Sequence, residues 1–289
     1  MRIATVNGRA ALLDGDRYLD LARATSGVVP ATPGAFLQSW RQTQQAVTDL
    51  GSEQDWQPLA GARLGAPVPD PRQSIGIGLN YAGHVQESGL DLPDFPLVFA
   101  KLPGSLCGPN DDVLLPSESV DWEAELVVAL GGPLDRGSRQ EAAAAIAGFM
   151  VGQDLSDRRV QHQAPGGQHT IGKSYRTFGP TGPALVTLEE LADPHDLEIR
   201  CRINGEVMQD GSTAQMMVDV CELLSMLSAR LPLGPGDLVF TGTPEGIGST
   251  RNPPRFLRPG DVIETEIAGL GRLVNTCVAD STYPTGPRP

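Results

Sequence analysis

Cysteine and histidine are both scarce, four of each among 289 residues, and that scarcity narrows the chemistry before any motif is read. Cys107, Cys201, Cys221 and Cys277 lie far apart and form no C-x-x-C pair, which argues against a zinc ribbon and a thioredoxin-like dithiol. They read as reduced thiols. The alternative, a nucleophilic cysteine served by a distant histidine, competes with plain burial, the commoner state of cysteine. Positive charge is short as well. Against 35 Asp and Glu stand 22 Lys and Arg, and the formal charge of −13 repels phosphate backbones and anionic lipid headgroups. Nucleic acid and membrane surfaces are therefore poor partners, and an anionic substrate would need local positive charge. No apolar run approaches the roughly 20 residues that cross a bilayer. The opening MRIATVNGRAALLDGDRYLDL has no basic segment followed by a long apolar core, so a cytoplasmic protein is expected. Repeats are missing too: LGPGDLVF and LRPGDVIE share a turn–strand pattern, but two copies do not make an array.

What remains is a chain with 40% hydrophobic residues, long enough to bury a real core. Residues 1–70 read as short strands and turns followed by a helical stretch, TPGAFLQSWRQTQQAVTDLG, and the Pro-rich APVPDPRQ marks a boundary between a small N-terminal domain and a larger one over 71–280. Residues 281–289 read as a flexible tail. In the larger part the segments SIGIGLN, PLVFAKL, WEAELVVAL, IAGFMVGQD, GPALVT, LEIRCRING, DLVFTGT, DVIETEIAG and GRLVNTCV read as strands. Two helices interrupt them, RQEAAAAIA and AQMMVDVCELLSMLSARL. The pattern predicts a mostly β, α+β fold, a sandwich or rolled sheet rather than a doubly wound one.

In DWEAELVVAL, Glu123 and Glu125 stand two apart, so a strand would put both carboxylates on one face. The apolar run after them looks buried on both faces, which would place the acids near the core, although taken alone an exposed acidic strand end is the plainer reading. In AGFMVGQDLSDRRVQ an apolar strand ends at Asp154. Alone, Asp154 reads as a helix N-cap with Asp157 at the third helical position. Together the three carboxylates form an all-oxygen donor set, the preference of Mg²⁺ or Mn²⁺ rather than zinc. A helix after Asp154 would put Arg158 and Gln161 on its face, with a surface ion pair between Arg158 and Asp154 as the plainer reading. The Gly-rich APGGQHTIGKSYRTFGPTGP then brings Lys173, with Lys101 the other lysine near these elements, and residues 164–172 read as a lid or as a long connection. In GIGLNYAGHVQESG the third glycine of a dinucleotide-binding turn is replaced by Tyr81 and no βαβ pattern follows, which argues against that motif. His84 and Glu87 are instead spaced to meet on one helical turn, where the carboxylate could fix the imidazole tautomer or merely decorate a surface.

The ordered series NYAGHVQESG, FAKLPGSL, DWEAELVVAL, GQDLSDRRVQ, GGQHTIGKS, TFGPTGP, LVFTGTPEGIG and LRPGDVIETEIAGLG resembles the fumarylacetoacetate hydrolase family over about residues 70–278. The resemblance implies a rolled mixed β-sheet and a homodimer. It implies that Glu123, Glu125 and Asp154 hold the metal, and that His84 with Glu87 activates water. It implies further that Arg158, Gln161, Lys173 and Thr243 face the substrate's carboxylate and oxo groups. Three positions depart from the family pattern: Gln153 where Asn is frequent, His169 where Trp is frequent, and Arg176 where an acid is frequent. These bear on substrate choice rather than on the metal.

The expected chemistry is metal-dependent hydrolysis of a C–C bond in a 2,4-dioxo acid of acylpyruvate type, with His84 drawing a proton from water and Lys173 countering the charge that develops on the pyruvate fragment. Decarboxylation, isomerisation or dehydration of a related oxo acid is the alternative, and a non-catalytic ligand-binding protein on the same fold is the competing class.

Overall fold

The computed structural model describes residues 1–89 and 95–282. Of the tail expected over 281–289, all but the first two residues lie outside the described residues. Its centre is a 12-stranded mixed sheet whose middle strands are Gly179–Val186, Ile146–Gln153, Ala124–Leu130, Leu238–Phe240 and Ser74–Gly78. A five-stranded sheet of Glu206–Ser212, Glu198–Ile203, Val262–Ile267, Gly271–Ala279 and Val113–Leu115 accompanies it. This is the fold that the strand-rich pattern predicts.

Ala124–Leu130 shows why its sequence is a near-continuous apolar run. Ala124, Leu126, Val128 and Leu130 join the large core cluster that also holds Ile199, Cys201 and Cys277 of the second sheet. Val127 and Ala129 join a second cluster with Phe36, Leu37 and Trp40 of the N-terminal segment. Both faces are buried, so neither can be polar except where a function requires it. The first 70 residues do not stand apart from this sheet: Arg2–Val6 pairs antiparallel with Gly179–Val186, and Arg9–Asp14, Arg17–Asp20 and Gln57–Pro58 extend it outward.

All nine strand candidates contain strands. The helical expectations need trimming. Arg139–Ala145 forms a helix with a Ser138–Glu141 capping box, but Ile146 already begins the next strand. At the start of AQMMVDVCELLSMLSARL, Ala214 and Gln215 belong with the preceding Thr213 to one 3₁₀ turn, and the α-helix starts only at Val220, where Asp219 caps it by accepting from Cys221 and Glu222.

Candidate active site

The site forms where four strands of the large sheet reach one edge. Ala124–Leu130 and Ile146–Gln153 run antiparallel with Ala124 opposite Gln153 and Glu125 opposite Gly152. The start of one strand therefore lies beside the end of the other. Glu123 immediately precedes the first strand, Asp154 immediately follows the second, and the Asp154 N–H donates to the Glu123 carbonyl at 2.9 Å. Next to them Leu238–Phe240 and Ser74–Gly78 run parallel and end at the same edge. The first continues into the Thr241–Thr243 turn. The second turns at Leu79, which holds φ +61°, an uncommon conformation for a residue with a side chain. Helix Ala82–Ser88 follows with His84 and Glu87.

Glu123, Glu125 and Asp154 are all buried, and one oxygen from each lies within 4.8 Å of the others. Asp154 is not a helix N-cap: helix Arg158–Gln161 starts later and is capped by Asp157. Lys173 Nζ donates to Glu123 Oε2 at 2.6 Å and to Asp154 Oδ2 at 2.7 Å, while Lys101 Nζ donates to Asp154 Oδ1 at 2.8 Å and to the Lys173 carbonyl at 2.7 Å. Arg158 pairs not with Asp154 but with Asp121 and Glu123, its Nη2 2.8 Å and 2.7 Å from their oxygens. Asp121, Glu123 and Asp154 are thus each in contact with Lys101, Lys173 or Arg158, three anions against three cations.

Glu125 is left outside this balance. Its one hydrogen bond among the described residues is from the Gly242 N–H at 2.9 Å, and burial first, then the charges of Asp154 and Glu123, push its carboxyl well above the usual carboxylate range. Burial would raise Glu123 too, but Lys173 and Arg158 overcome it and hold that carboxyl below the ordinary value. The donor set, three buried carboxylates of which one has no cationic partner among the described residues, fits a hard divalent ion such as Mg²⁺ or Mn²⁺.

A stability prediction follows from Glu125. A carboxyl whose folded value is raised favours the fold fully below the ordinary range of about 4.3 and loses that contribution as the pH climbs through the raised value. The metal-free protein should therefore lose stability with rising pH over that interval, and Mg²⁺ or Mn²⁺ should remove the loss by replacing the proton. Thermal melts in chelator and in metal across pH check this. Equal slopes in both series would show that no ion meets Glu125.

His84 Nδ1 is 2.8 Å from Glu87 Oε1, so the spacing predicted from sequence is realised. Glu87 is itself fixed, its Oε2 accepting from the Gly246 N–H at 2.9 Å and Thr250 Oγ1 at 3.0 Å. Burial alone would raise its carboxyl, but the His84 contact and these donors bring it below the ordinary value. A half-buried, ionised Glu87 accepting at Nδ1 leaves the His84 Nε2 lone pair free, the arrangement of an oriented base.

His84, Glu123, Arg158, Gln161, Lys173 and Thr243 line one cleft of about 550 Å³, with Phe99, Gly167 and His169 on its wall. A larger groove of about 1160 Å³ around Arg251–Pro259 shares no residue with it and holds neither histidine nor lysine. Thr243 Oγ1 accepts from Gln209 Nε2 at 2.7 Å, which leaves its own O–H to donate. Arg158 and Gln161 are more engaged than the sequence suggests: Arg158 Nε donates to Asp121 and its Nη1 to Gln161 Oε1.

Of the three departures, Gln153 reaches between strands, accepting from the Glu123 N–H at 2.9 Å and donating to Thr265 at 2.9 Å. His169 lines the cleft, whereas Arg176 is exposed and does not. The 164–172 segment contains two left-handed glycines, Gly166 and Gly167, and a short helix His169–Gly172 that seats on Gln161 and Asp157 through the bare Gly172 Cα.

Sequence reasoning passed over three supports. Asp121 accepts from the N–H groups of Gly248 at 2.7 Å and Ser249 at 3.0 Å as well as from Arg158, tying the loop that grips Glu87 to the carboxylate cluster. Gln209 clamps that loop to the strand, accepting from the Ala124 N–H and donating to Thr243 and Pro244. Lys101 was noted without a role. Asp121 sits two residues before Glu123 and shares its parity, the one local signal available; Gln209 has none.

Comparison with known proteins places the chain in a family. Residues 73–278 match the family described as fumarylacetoacetate (FAA) hydrolase, C-terminal. The chain belongs to the fumarylacetoacetate hydrolase family. It is 40% identical over 268 residues to the Bos taurus protein named oxaloacetate tautomerase FAHD2A, mitochondrial, covering 92% of this chain and 85% of that one. Among solved structures, maleylpyruvate hydrolase from Sphingobium sp. SYK-6, in complex with manganese(II) and pyruvate, superposes with a TM-score of 0.82 at 27% identity over 97% of this chain and 100% of that one. A 5-carboxymethyl-2-hydroxymuconate delta-isomerase from Mycobacterium smegmatis gives 0.76 at 30% identity, covering 97% and 100%. Family members with these names act on oxo acids by hydrolysis, isomerisation and tautomerisation.

Proposed function

We propose that this protein enolises a small 2-oxo acid, and that its reaction is keto–enol isomerisation of an oxaloacetate-like dicarboxylic acid. The observation that carries the reading is the placement of an oriented imidazole, His84 held by Glu87, in one cleft with Glu123, Lys173 and Thr243. His84 Nε2 takes a proton from C3, the C3–H electron pair becomes the C2=C3 bond, and the C2 oxygen becomes an enolate that is then protonated; the reverse sequence converts enol to ketone. Glu123, Glu125 and Asp154 would hold Mg²⁺ or Mn²⁺, which when bound supplies positive charge beside the developing oxyanion. Lys173 stays protonated: burial would lower it, but Asp154 and Glu123 raise it above the ordinary lysine value, so it adds a fixed positive charge to the same end of the cleft. Thr243 O–H is a donor for a substrate oxygen, and Arg158 with Gln161 forms the adjoining wall. The 40%-identical tautomerase relative favours isomerisation over the other reactions of the family.

The second reading is hydrolysis of a 2,4-dioxo acid to pyruvate and a carboxylic acid. A cleft of about 550 Å³ exceeds what a four-carbon diacid fills, leaving room for an acyl group and a water that His84 would deprotonate. Product analysis separates the two. Metal-loaded protein is incubated with enol-oxaloacetate and with a panel of acylpyruvates. Faster enol loss without mass change supports isomerisation, pyruvate plus a carboxylic acid supports hydrolysis, and CO₂ from oxaloacetate would point to decarboxylation instead. No acceleration with any substrate would refute both readings.

A further inference from the structure

His169 stands at the cleft wall, its ring stacked on Phe99 with centroids 5.6 Å apart and planes 29° from parallel. Its Nδ1 is 3.0 Å from Gln161 Nε2. The direction of that hydrogen bond is decided one residue away. Arg158 Nη1 can only donate, and it donates to Gln161 Oε1 at 2.9 Å, so the Gln161 carbonyl faces Arg158 and its NH₂ faces His169. An NH₂ group can only donate. Nδ1 of His169 must therefore accept, and in a neutral imidazole the proton then sits on Nε2. A protonated ring would set two donors against each other at Nδ1. The ring's ordinary value is lowered, by burial first and then by the Lys173 charge, in agreement.

Nε2 has no hydrogen-bond partner among the described residues. Its near neighbour is the bare Cα of Gly167, where an added Cβ would come within 3.1 Å of Nε2. Arg158 is itself held by Asp121 and Glu123, so the chain Asp121–Arg158–Gln161–His169 fixes a donor on the wall of the cleft. We propose that His169 is a specificity-determining residue whose fixed Nε2–H donates to an oxygen on the substrate's distal end, selecting 2-oxo acids with a second carboxylate over those ending in an alkyl group. An alkyl tail would leave the N–H desolvated and unpaired, the situation in which a site discriminates most strongly. This deepens the proposed function and rests on it for the identity of the chelating end.

Two measurements test it, and they fail independently. ¹⁵N-histidine spectra of the full chain, with the resonance assigned by its disappearance in His169→Phe, should show a neutral Nε2–H ring. An Nδ1–H ring would overturn the proposal whatever the enzyme catalyses. The second measurement is competition binding to Mg²⁺-loaded protein with oxaloacetate and with 4-methyl-2-oxopentanoate, in which an isopropyl group replaces the second carboxylate. The native protein should prefer oxaloacetate, and His169→Phe, which keeps the stack on Phe99, should lose roughly tenfold or more of that preference while binding the alkyl acid at least as well. A preference unchanged by His169→Phe would overturn the role of His169 but leave the enolisation reading standing. Failure of both acids to bind the native protein would overturn both.

Discussion

Replacing His84 by alanine should lower turnover by roughly 10²–10⁴-fold, the usual loss when a positioned general base is removed, while Mg²⁺ or Mn²⁺ affinity stays within a small factor of native. The separation follows from the structure. His84 contacts Glu87 and the cleft, whereas the three carboxylates are placed by strand register and by Lys101, Lys173 and Arg158. Glu87→Gln should give a milder loss of turnover: an amide oxygen can still accept at Nδ1, but it no longer favours the protonated ring formed during the step. Steady-state kinetics beside a metal titration reads both quantities. Parallel collapse of turnover and metal affinity in His84→Ala would show that the histidine supports the fold of the site rather than the reaction.

Lys101→Met should be the most destabilising single change at the site in the absence of metal. The ammonium is fully buried, and removing it strands one Asp154 oxygen and the Lys173 carbonyl without a partner. Breaking a buried pair in this way costs about 3–5 kcal/mol, because the surviving charge stays desolvated. Burial also pulls Lys101 below the ordinary lysine value despite Asp154, so keeping the ammonium charged opposes the fold at lower pH, and that cost is relieved as the pH rises from the lowered value towards the ordinary one of about 10.4. A divalent ion would give Asp154 a new cationic partner, so the deficit of Lys101→Met should shrink when metal is added. Denaturant unfolding in chelator and in excess Mg²⁺ measures both states. Native-like stability in chelator would mean that Asp154 finds another partner, and the three-against-three charge arrangement would be wrong.

The parts of this site that local spacing controls were legible in the sequence. Glu123 and Glu125 share a parity, His84 and Glu87 share a helical turn, and Asp154 ends an apolar strand; each relation spans at most a few residues. The family resemblance then joined pieces that spacing could not. What escaped was set by tertiary pairing. Gln209 lies in Glu206–Ser212, whose EVMQDGS lacks the apolar alternation of a strand, yet it pairs along Glu198–Ile203 and places an amide between Ala124 and Thr243. Asp121 gave a local hint, but its three loop and guanidinium donors come from residues 37 and more than 120 positions away. The break before Val220 was missed because apolar spacing continues through it, while Ser212 with Gln215 closes one turn and Asp219 opens another. The Gly76 and Gly78 pair of GIGLN proves to be a packing device: a Cβ on Gly76 would lie 2.2 Å from the Phe99 ring, the ring on which His169 stacks.

Proton exchange at C3 is the most direct measurement of the central claim. Oxaloacetate in D₂O with Mg²⁺-loaded protein should exchange its C3 methylene protons for deuterium, followed by proton NMR, well above the rate with Mg²⁺ alone, and His84→Ala should return exchange close to that background. Exchange no faster than with the metal alone, or exchange that persists undiminished in His84→Ala, would contradict the assignment of His84 as the base that enolises a 2-oxo acid.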